Sequence, residues 1–518
     1  MRFAWFLSFS VGFLSLSQEI LWVRLVSFGQ TGRPQAFSIV LAAFLVGIAA
    51  GAVAGRHLCE RSRALLSAAS VVLLVAGLVD LVTLHMLTVV LLDSPRRLAV
   101  MMTLIAINAG LKGVLFPVVH HLGAEAKTGR VGRSVSRVYF CNVLGSTLGP
   151  ILTGFFLLDV FSVETVFALI GGATLTLGLV TLAVSGVRPL PALGASAALV
   201  IIAVGLAADP PDVVRAVAGG FRAQPDIPHV VQNRHGIVHI VEAEYGGDET
   251  YGGNMYDGRI NVDIGVNSNL IDRAYLVATL HQNPRRALVV GLSTGAWTKI
   301  LLGFPGVEVV DVVEINPGYL GLVSLYPEVA SVLDDPRVHI HIDDARRWLR
   351  ANPEKRYDIM FQNTTWHWRA NATMLLSADY FRQMRGHLAP DGIMAVNSTG
   401  SLDVFRTAVE VFSHVVRYSN FAYMSNSPLR RHDEAESMLR RSLVGTLPAF
   451  SDDLFEPGGI GRTLLTAPLQ TAESLLADTP SARVITDMNL LSEFRHGRRP
   501  LYGWLNKILP PEPEPLIE

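Results

Sequence analysis

Two cysteines in 518 residues, Cys59 and Cys141, leave no disulfide framework and no Cys-rich zinc site. Charge is scarce as well: 17% of residues are Asp, Glu, Lys or Arg against 50% hydrophobic, which excludes a disordered chain. A basic face for nucleic acid is missing. The net charge is −1, and the positive excess sits in an apolar region: residues 1–208 hold 14 Lys and Arg against 7 Asp and Glu, leaving 29 against 37 beyond them. Nucleic acid is thereby excluded as a partner. Repeats and low-complexity tracts are absent too, except for a Pro-rich tail, Leu509 to Pro515, that reads as disordered.

What the first part has in abundance is long apolar runs. A bilayer crossing needs about 20 apolar residues, and seven segments reach that scale: Phe3 to Phe28, Ala36 to Gly55, Leu65 to Leu92, Leu98 to Leu122, Val138 to Asp159, Thr165 to Val184 and Leu190 to Ala208. The first is a span rather than a cleaved signal, because it lacks a small-residue cleavage site and ends with Glu19 and Arg24. Gly47, Gly51 and Gly55 form two overlapping GxxxG steps and Gly145 with Gly149 another, a pattern for close helix packing. Glu19, Arg24, Asp80, Asn108, Lys112 and Asn142 fall inside the spans, where polar groups pair or line a cavity. The chain reads as an integral membrane protein with the lipid bilayer as a partner. Basic turns at Arg56, Arg61 and Arg63 and at Lys127, Arg130, Arg133 and Arg137 put the N-terminus inside, so seven spans leave the C-terminal part outside. That placement conflicts with a cytosolic nucleotide supply, and the side stays open.

At Asp209-Pro210-Pro211 the composition changes. Short strands with Gly-rich turns come first, at His229 to Gln232, Gly236 to Glu242 and Tyr251 to Tyr256. Strands and helices then alternate, with strands at Ala287 to Gly291, Val307 to Ile315, Val338 to Ile342, Tyr357 to Phe361 and Gly392 to Val396, which predicts a parallel, doubly wound α/β sheet. Four regions follow: a transmembrane domain 1–208, a linker and small β-domain 209–265, a nucleoside-binding domain 266–430 and a C-terminal extension 431–518. The fold class is thus a multi-span α-helical membrane domain followed by an α/β Rossmann-like domain with a small β-hairpin section at its start. The stretch from Arg430 to Ala482 has little periodicity and suggests no role.

The first α/β strand runs into Gly291-Leu292-Ser293-Thr294-Gly295 at the start of a helix, where glycines let a backbone approach a nucleotide. About 20 residues on, at the end of the second strand, Glu314 is placed to accept hydrogen bonds from both hydroxyls of a ribose. Asp343-Asp344 ends the third strand, offering a place for an adenine edge or a helix cap. Ser293 in place of a middle glycine, with the short loop, favours a mononucleoside such as an S-adenosyl compound over a dinucleotide. His339 and His341 share one strand face, but no further ligand clusters nearby in sequence to make a metal site.

In order, Met255-Tyr256-Asp257-Gly258-Arg259-Ile260-Asn261, Val289 to Gly295, Val312-Val313-Glu314-Ile315, Asp335-Pro336-Arg337-Val338, Asp343-Asp344-Ala345 and Tyr357-Asp358-Ile359 resemble the spermidine synthases over Ile227 to Val396. The whole chain resembles the bacterial membrane-fused members of that family. The resemblance implies a sulfonium nucleoside, decarboxylated S-adenosylmethionine or S-adenosylmethionine, lined by Gly291, Ser293, Thr294 and Gly295, with its ribose on Glu314 and its adenine near Asp343, Asp344 and Ala345. It also implies a small-molecule amine acceptor, with Asn261, Asn363 and Trp366 around it, location in the bacterial inner membrane, and room for a homo-oligomer. Departures matter. Thr294 stands where the family has an acid near the donor's amine, Asn363 where it has the catalytic aspartate, Trp366 at that loop's second aspartate, and Leu276-Val277 where a His-Glu pair follows the tyrosine.

Aminopropyl transfer needs a neutral amine to attack the carbon beside a sulfonium, and a carboxylate takes up its proton. Asn363 orients an amine but is no base, so His367 and His281 become the candidate substitutes. Three readings stay open. One is aminopropyl transfer with Asn363 and His367 as the catalytic pair. Another is S-adenosylmethionine-dependent methyl transfer, and the last a non-catalytic, transport-associated protein whose synthase domain has lost its chemistry.

Overall fold

The computed structural model describes residues 2–91, 97–124, 131–186, 205–206, 208–218, 226–363, 366–477 and 479–496. Packing divides the chain into two units. Met1–Gln30, Gln35–Pro225 and Gln232–Ile237 form the first; Thr31–Pro34, Asp226–Val231 and Val238–Glu518 form the second.

The first unit is a helical bundle. Its helices are α1 (Arg2–Gly29), α2 (Gln35–Arg61), α3 (Leu65–Leu91), α4 (Arg97–Gly123), α5 (Val131–Leu152, continued by a π-helical turn at Thr153–Leu157) and α6 (Val163–Val184). Among the described residues, these six are long and apolar enough to cross a membrane by length and composition. The expected span Leu190 to Ala208 lies almost wholly outside the described residues, as does the tail Leu509 to Pro515. Close packing uses the glycine steps: a Cβ on Gly47, Gly51 or Gly55 would collide with the carbonyl oxygens of Ala106, Gly110 or Val114 on α4. Gly145 and Gly149 press in the same way on Phe9 and Phe13 of α1.

The bundle is apolar on its surface as well as in its core, with a small buried polar cluster. Phe140, Phe155, Phe156 and Val160 point outward, whereas Gln18, Asp80, Asn108 and Lys112 are buried. Lys112 Nζ donates to Asp80 Oδ1 at 2.8 Å, Asp80 Oδ2 at 2.7 Å and Gln18 Oε1 at 2.7 Å, which uses the ammonium's three donors. Gln18 Nε2 also donates to Asp80 Oδ1, at 2.7 Å. Pairing of Asp80 with Lys112 is the kind of contact their place in apolar helices requires. Gln18 joins from α1, so the hub ties three helices together.

The second unit holds two main sheets. The smaller has the order β1 (His229–Asn233), β2 (Gly236–Val241), β3 (Glu249–Gly252), β4 (Met255–Arg259). Tyr251 to Tyr256, read as strand with a Gly-rich turn at Gly252-Gly253, is a hairpin whose turn lies one residue on. Gly253 and Asn254 both take positive φ, +58° and +63°, which a two-residue turn between twisted strands demands.

In the larger sheet, β5 (Arg286–Val290), β6 (Val309–Glu314), β7 (Val338–Ile342), β8 (Tyr357–Gln362) and β9 (Leu388–Asn397) are parallel, in the order β9-β8-β5-β6-β7. The expectation of an all-parallel sheet is corrected at the far edge. There β10 (His414–Tyr418) and β11 (Phe421–Ser425) are joined by two residues, too few for the crossover that parallel neighbours need, and β11 pairs antiparallel with β9. The central strands β5, β6 and β8 are covered on both faces and mostly apolar, whereas the edge strand β7 is only partly covered. Val289 and Val312 pack on one side with Trp297, Phe361 and Phe421, and Leu288 and Val313 on the other with Trp348, Tyr357 and Phe381. The stretch after Arg430 supplies Met438, Leu439, Phe450 and Leu464 to the first of these layers.

Candidate functional site

Parallel strands end together on one side of the sheet, and there the helix-capping loops leave a crevice. After β5 the chain turns sharply: Gly291 has φ +90°, Ser293 +48° and Gly295 +76° before α7 (Ala296–Leu302) begins. Ser293 holds a left-handed conformation that a side chain normally avoids, and its Oγ donates to the Asp257 carbonyl at 3.1 Å, tying the loop to β4. Thr294 is buried, and its Oγ1 accepts from the Ala296 N–H at 3.2 Å. The hydroxyl in place of the family's acid thus closes a local turn on the backbone just before the helix.

Glu314 ends β6 and reaches back to the loop. Its Oε2 accepts from Leu292 N and its Oε1 from Asn316 N, each at 2.7 Å. Burial pushes its carboxyl up to about 7, opposed by those backbone hydrogen bonds and reinforced by the negative charge of Asp257. The Ser293 backbone N–H also bears on this carboxylate, so of its about four lone-pair sites one remains for a hydroxyl donor. At the end of β7, Asp343 pairs with Arg347 (Nε to Oδ1, 2.5 Å) and Asp344 caps the next helix by accepting from Arg347 N at 2.9 Å. Ala345 is the first residue of that helix.

On the other side of β5, Asn363 and His367 follow β8. Asn363 Oδ1 accepts from Asn397 Nδ2 at 2.8 Å, Asn397 Oδ1 accepts from Thr399 N at 2.8 Å, and Thr399 Oγ1 lies 2.8 Å from His367 Nδ1. Asn420 Nδ2 donates to the same Asn397 oxygen at 3.0 Å, and Arg273 Nη1 donates to Asn420 Oδ1 at 2.5 Å. The proposed pair is therefore linked through Asn397 and Thr399, which in sequence match a glycosylation sequon by chance and suggest no role at the site. Trp366 and Trp368 are half-buried neighbours with ring centroids 6.3 Å apart.

Asp257 is the residue that sequence reasoning passed over. It sits in a stretch quoted for its family pattern, yet its carboxylate enters the crevice and accepts from Tyr319 OH at 2.8 Å. Burial raises its pKa, against the Tyr319 hydrogen bond and the nearby Arg369 guanidinium. A signal existed in the run Tyr256-Asp257-Gly258, where an acid precedes a glycine that a side chain would crowd: a Cβ on Gly258 comes 3.3 Å from Thr294.

Two expectations fall elsewhere. Asn261 lies beside the Gly246-Gly247 turn, a Cβ on Gly247 coming 3.6 Å from its own Cβ, and its buried Oδ1 has no hydrogen-bond partner among the described residues. His281 caps the C-terminus of the helix Asp272–Leu280, among Asp358, Asp391 and His432 near the starts of the strands, so it is no base for this crevice. His341 is no metal ligand in waiting either. Its Nε2 lies 3.0 Å from the buried Asp311, which also takes Lys355 Nζ at 2.8 Å and Tyr357 OH at 2.7 Å. No cluster of three potential metal ligands occurs among the described residues.

Residues 273–423 match the family model described as the spermine/spermidine synthase domain. A polyamine aminopropyltransferase of Mycobacterium tuberculosis is 23% identical over 505 residues, covering 93% of this chain and 94% of that protein. One from Corynebacterium efficiens is 24% identical, covering 93% and 89%. A spermine synthase of Arabidopsis thaliana is 31% identical over 122 residues, 23% of this chain and 34% of the plant protein. Among solved structures, spermidine synthase from Thermotoga maritima is 14% identical with a TM-score of 0.38, covering 47% of this chain and 84% of its own.

Proposed function

We propose, for a chain that belongs to the spermidine synthase family, a membrane-embedded transferase that moves an aminopropyl group from a sulfonium nucleoside to an amine. The observation that carries the nucleoside part is the Gly291–Gly295 loop, with its three positive φ angles, pinned to Glu314 through the 2.7 Å contact at Leu292 N. Gly291, Ser293 and Gly295 line the donor, Glu314 accepts from its ribose, and Asp343, Asp344 and Ala345 flank its adenine. The bilayer part rests on the bundle, apolar on its surface and with a small buried polar cluster.

In the transfer, the acceptor nitrogen forms a bond to the propyl carbon, the carbon–sulfur bond breaks with its electron pair going to sulfur, and the new ammonium loses a proton. Asn363 holds the attacking amine through its side-chain oxygen, Trp366 stacks on the acceptor's chain, and His367 is the proton's recipient. Decarboxylated S-adenosylmethionine is the donor this reaction requires. Methyl transfer from S-adenosylmethionine is the second reading, favoured by Thr294, whose hydroxyl closes a local turn and leaves no acid against a donor carboxylate.

Calorimetric titration of both nucleosides into detergent-purified protein, with Glu314→Ala alongside, decides between them. Preference for the decarboxylated nucleoside, abolished by the substitution, is expected. Preference for the carboxylated one selects methyl transfer, and binding of neither refutes both enzyme readings.

A further inference from the structure

The crevice contains a cation as well as an acid. Gly252 and Gly253 form the end of β3 and its turn, and their missing side chains make room for three polar groups. A Cβ on Gly252 would strike Tyr319 OH and come 3.8 Å from Asp257 Oδ2; one on Gly253 would come 2.5 Å from Arg369 Nη2. A carboxylate and a guanidinium are thereby gathered at adjacent backbone positions. Both residues are partly buried, with Arg369 Nε closed off from solvent, and Tyr319 between them is buried. Ser293 joins Asp257's backbone to the nucleoside loop at 3.1 Å, which places this wall next to the donor.

We propose that Asp257 and Arg369 recognise an α-amino acid group, Asp257 taking its ammonium and Arg369 its carboxylate, so that the site accepts a zwitterionic substrate in preference to a free polyamine. This rests on the transfer reading above and names its substrate class. Charge argues for it. A site that holds a polycation needs an excess of acids, yet Thr294, Asn363 and Trp366 are uncharged, and Glu314 with a pKa of about 7 is only partly ionised at neutral pH. Arg369 adds a cation that a second ammonium would meet directly, whereas a carboxylate meets a planar, bidentate donor. Arg369 stands on the loop after β8 beside Trp366 and Trp368, which assigns the amino acid group to the acceptor. The methionine end of S-adenosylmethionine carries the same pair of charges, and the test separates the two sources.

Matched pairs that differ only by a carboxylate read this out in the full-length protein in detergent. Ornithine and putrescine are titrated into donor-free protein and then offered as acceptors with decarboxylated S-adenosylmethionine; the two nucleosides are titrated separately. The expected result is that ornithine binds at least tenfold tighter than putrescine, with the difference in KM rather than kcat. Arg369→Gln should erase it, Arg369→Lys should restore part of it, and Asp257→Asn should weaken ornithine at least as much as putrescine. A carboxylate preference confined to the nucleoside pair, and lost in Arg369→Gln, keeps the recognition site but moves it to the donor. Putrescine at least equal to ornithine, with no carboxylate preference among the nucleosides, overturns the proposal, as does a preference that survives Arg369→Gln in protein with an unchanged melting temperature. Binding of neither nucleoside overturns the transfer reading instead, and the donor-free titrations still decide the amino acid site.

Discussion

On the proposed function, Glu314 makes nucleoside binding proton-linked, and the size of the effect follows from its surroundings. Burial, opposed by the Asn316 and Leu292 N–H groups and reinforced by Asp257, lifts the carboxyl from 4.5 to about 7. A ribose hydroxyl donates to the ionised form. The ionised fraction is about 10% at pH 6 and about 90% at pH 8, so the nucleoside should bind about tenfold tighter at pH 8. In the free protein the sign reverses: the fold favours the protonated acid, and the penalty for ionisation is absent below pH 4.5, grows between 4.5 and about 7, and is complete above that, at about 3 kcal/mol. Without ligand the protein should therefore lose stability from this group as pH rises from 5 to 8, and ligand should recover more of it at pH 8. Calorimetry at pH 6, 7 and 8, in two buffers of different ionisation enthalpy, measures both affinity and protons released. Glu314→Gln should bind more weakly and without this pH dependence. A wild-type affinity that is flat from pH 6 to 8, or a slope that persists in Glu314→Gln, would refute the reasoning.

Three other outcomes follow from the same structure. Asn363→Asp keeps the acceptor oxygen that Asn397 Nδ2 uses at 2.8 Å and restores a base, so kcat with a diamine should rise on the order of a hundredfold and acquire an acidic limb; an unchanged kcat–pH profile would deny Asn363 its place beside the amine. Asp311→Asn leaves the Lys355 and His341 side chains without their counter-charge and should cost about 3 kcal/mol by chemical unfolding, with nucleoside affinity unchanged because the cluster lies away from the crevice. In the bundle, Lys112→Met alone strands the buried Asp80 and should lower the melting temperature in detergent sharply, while the double change Lys112→Met with Asp80→Leu should recover most of the loss; equal destabilisation by both would mean that the hub is not an ion pair.

How much of this was legible in order along the chain depended on the range of the interaction. Helix length, glycine steps, the Gly291–Gly295 turn and an acid ending the next strand are local patterns, each set within one or two turns of backbone, and the structure places the turn and the acid in contact. In the Tyr251 to Tyr256 stretch the glycine pair signalled the turn, and only its place, at Gly253 and Asn254 with positive φ, waited for the structure. The far sheet edge misled because direction there depends on a two-residue connection rather than on hydrophobic period.

By itself the sequence determined that a charge-poor helical part precedes an α/β part, and that a glycine turn and an acid end the first two strands of the α/β part, because apolar period and turn chemistry are written in neighbouring residues. Only the tertiary structure decided which distant groups share the crevice. Asp257, Tyr319 and Arg369 are separated by 62 and 50 positions in sequence, and they meet because two glycines at one hairpin leave space that no side chain claims. Folding likewise joined Gln18 to Asp80 and Lys112, since a buried charge must be met by whatever donors and acceptors the packing brings within reach.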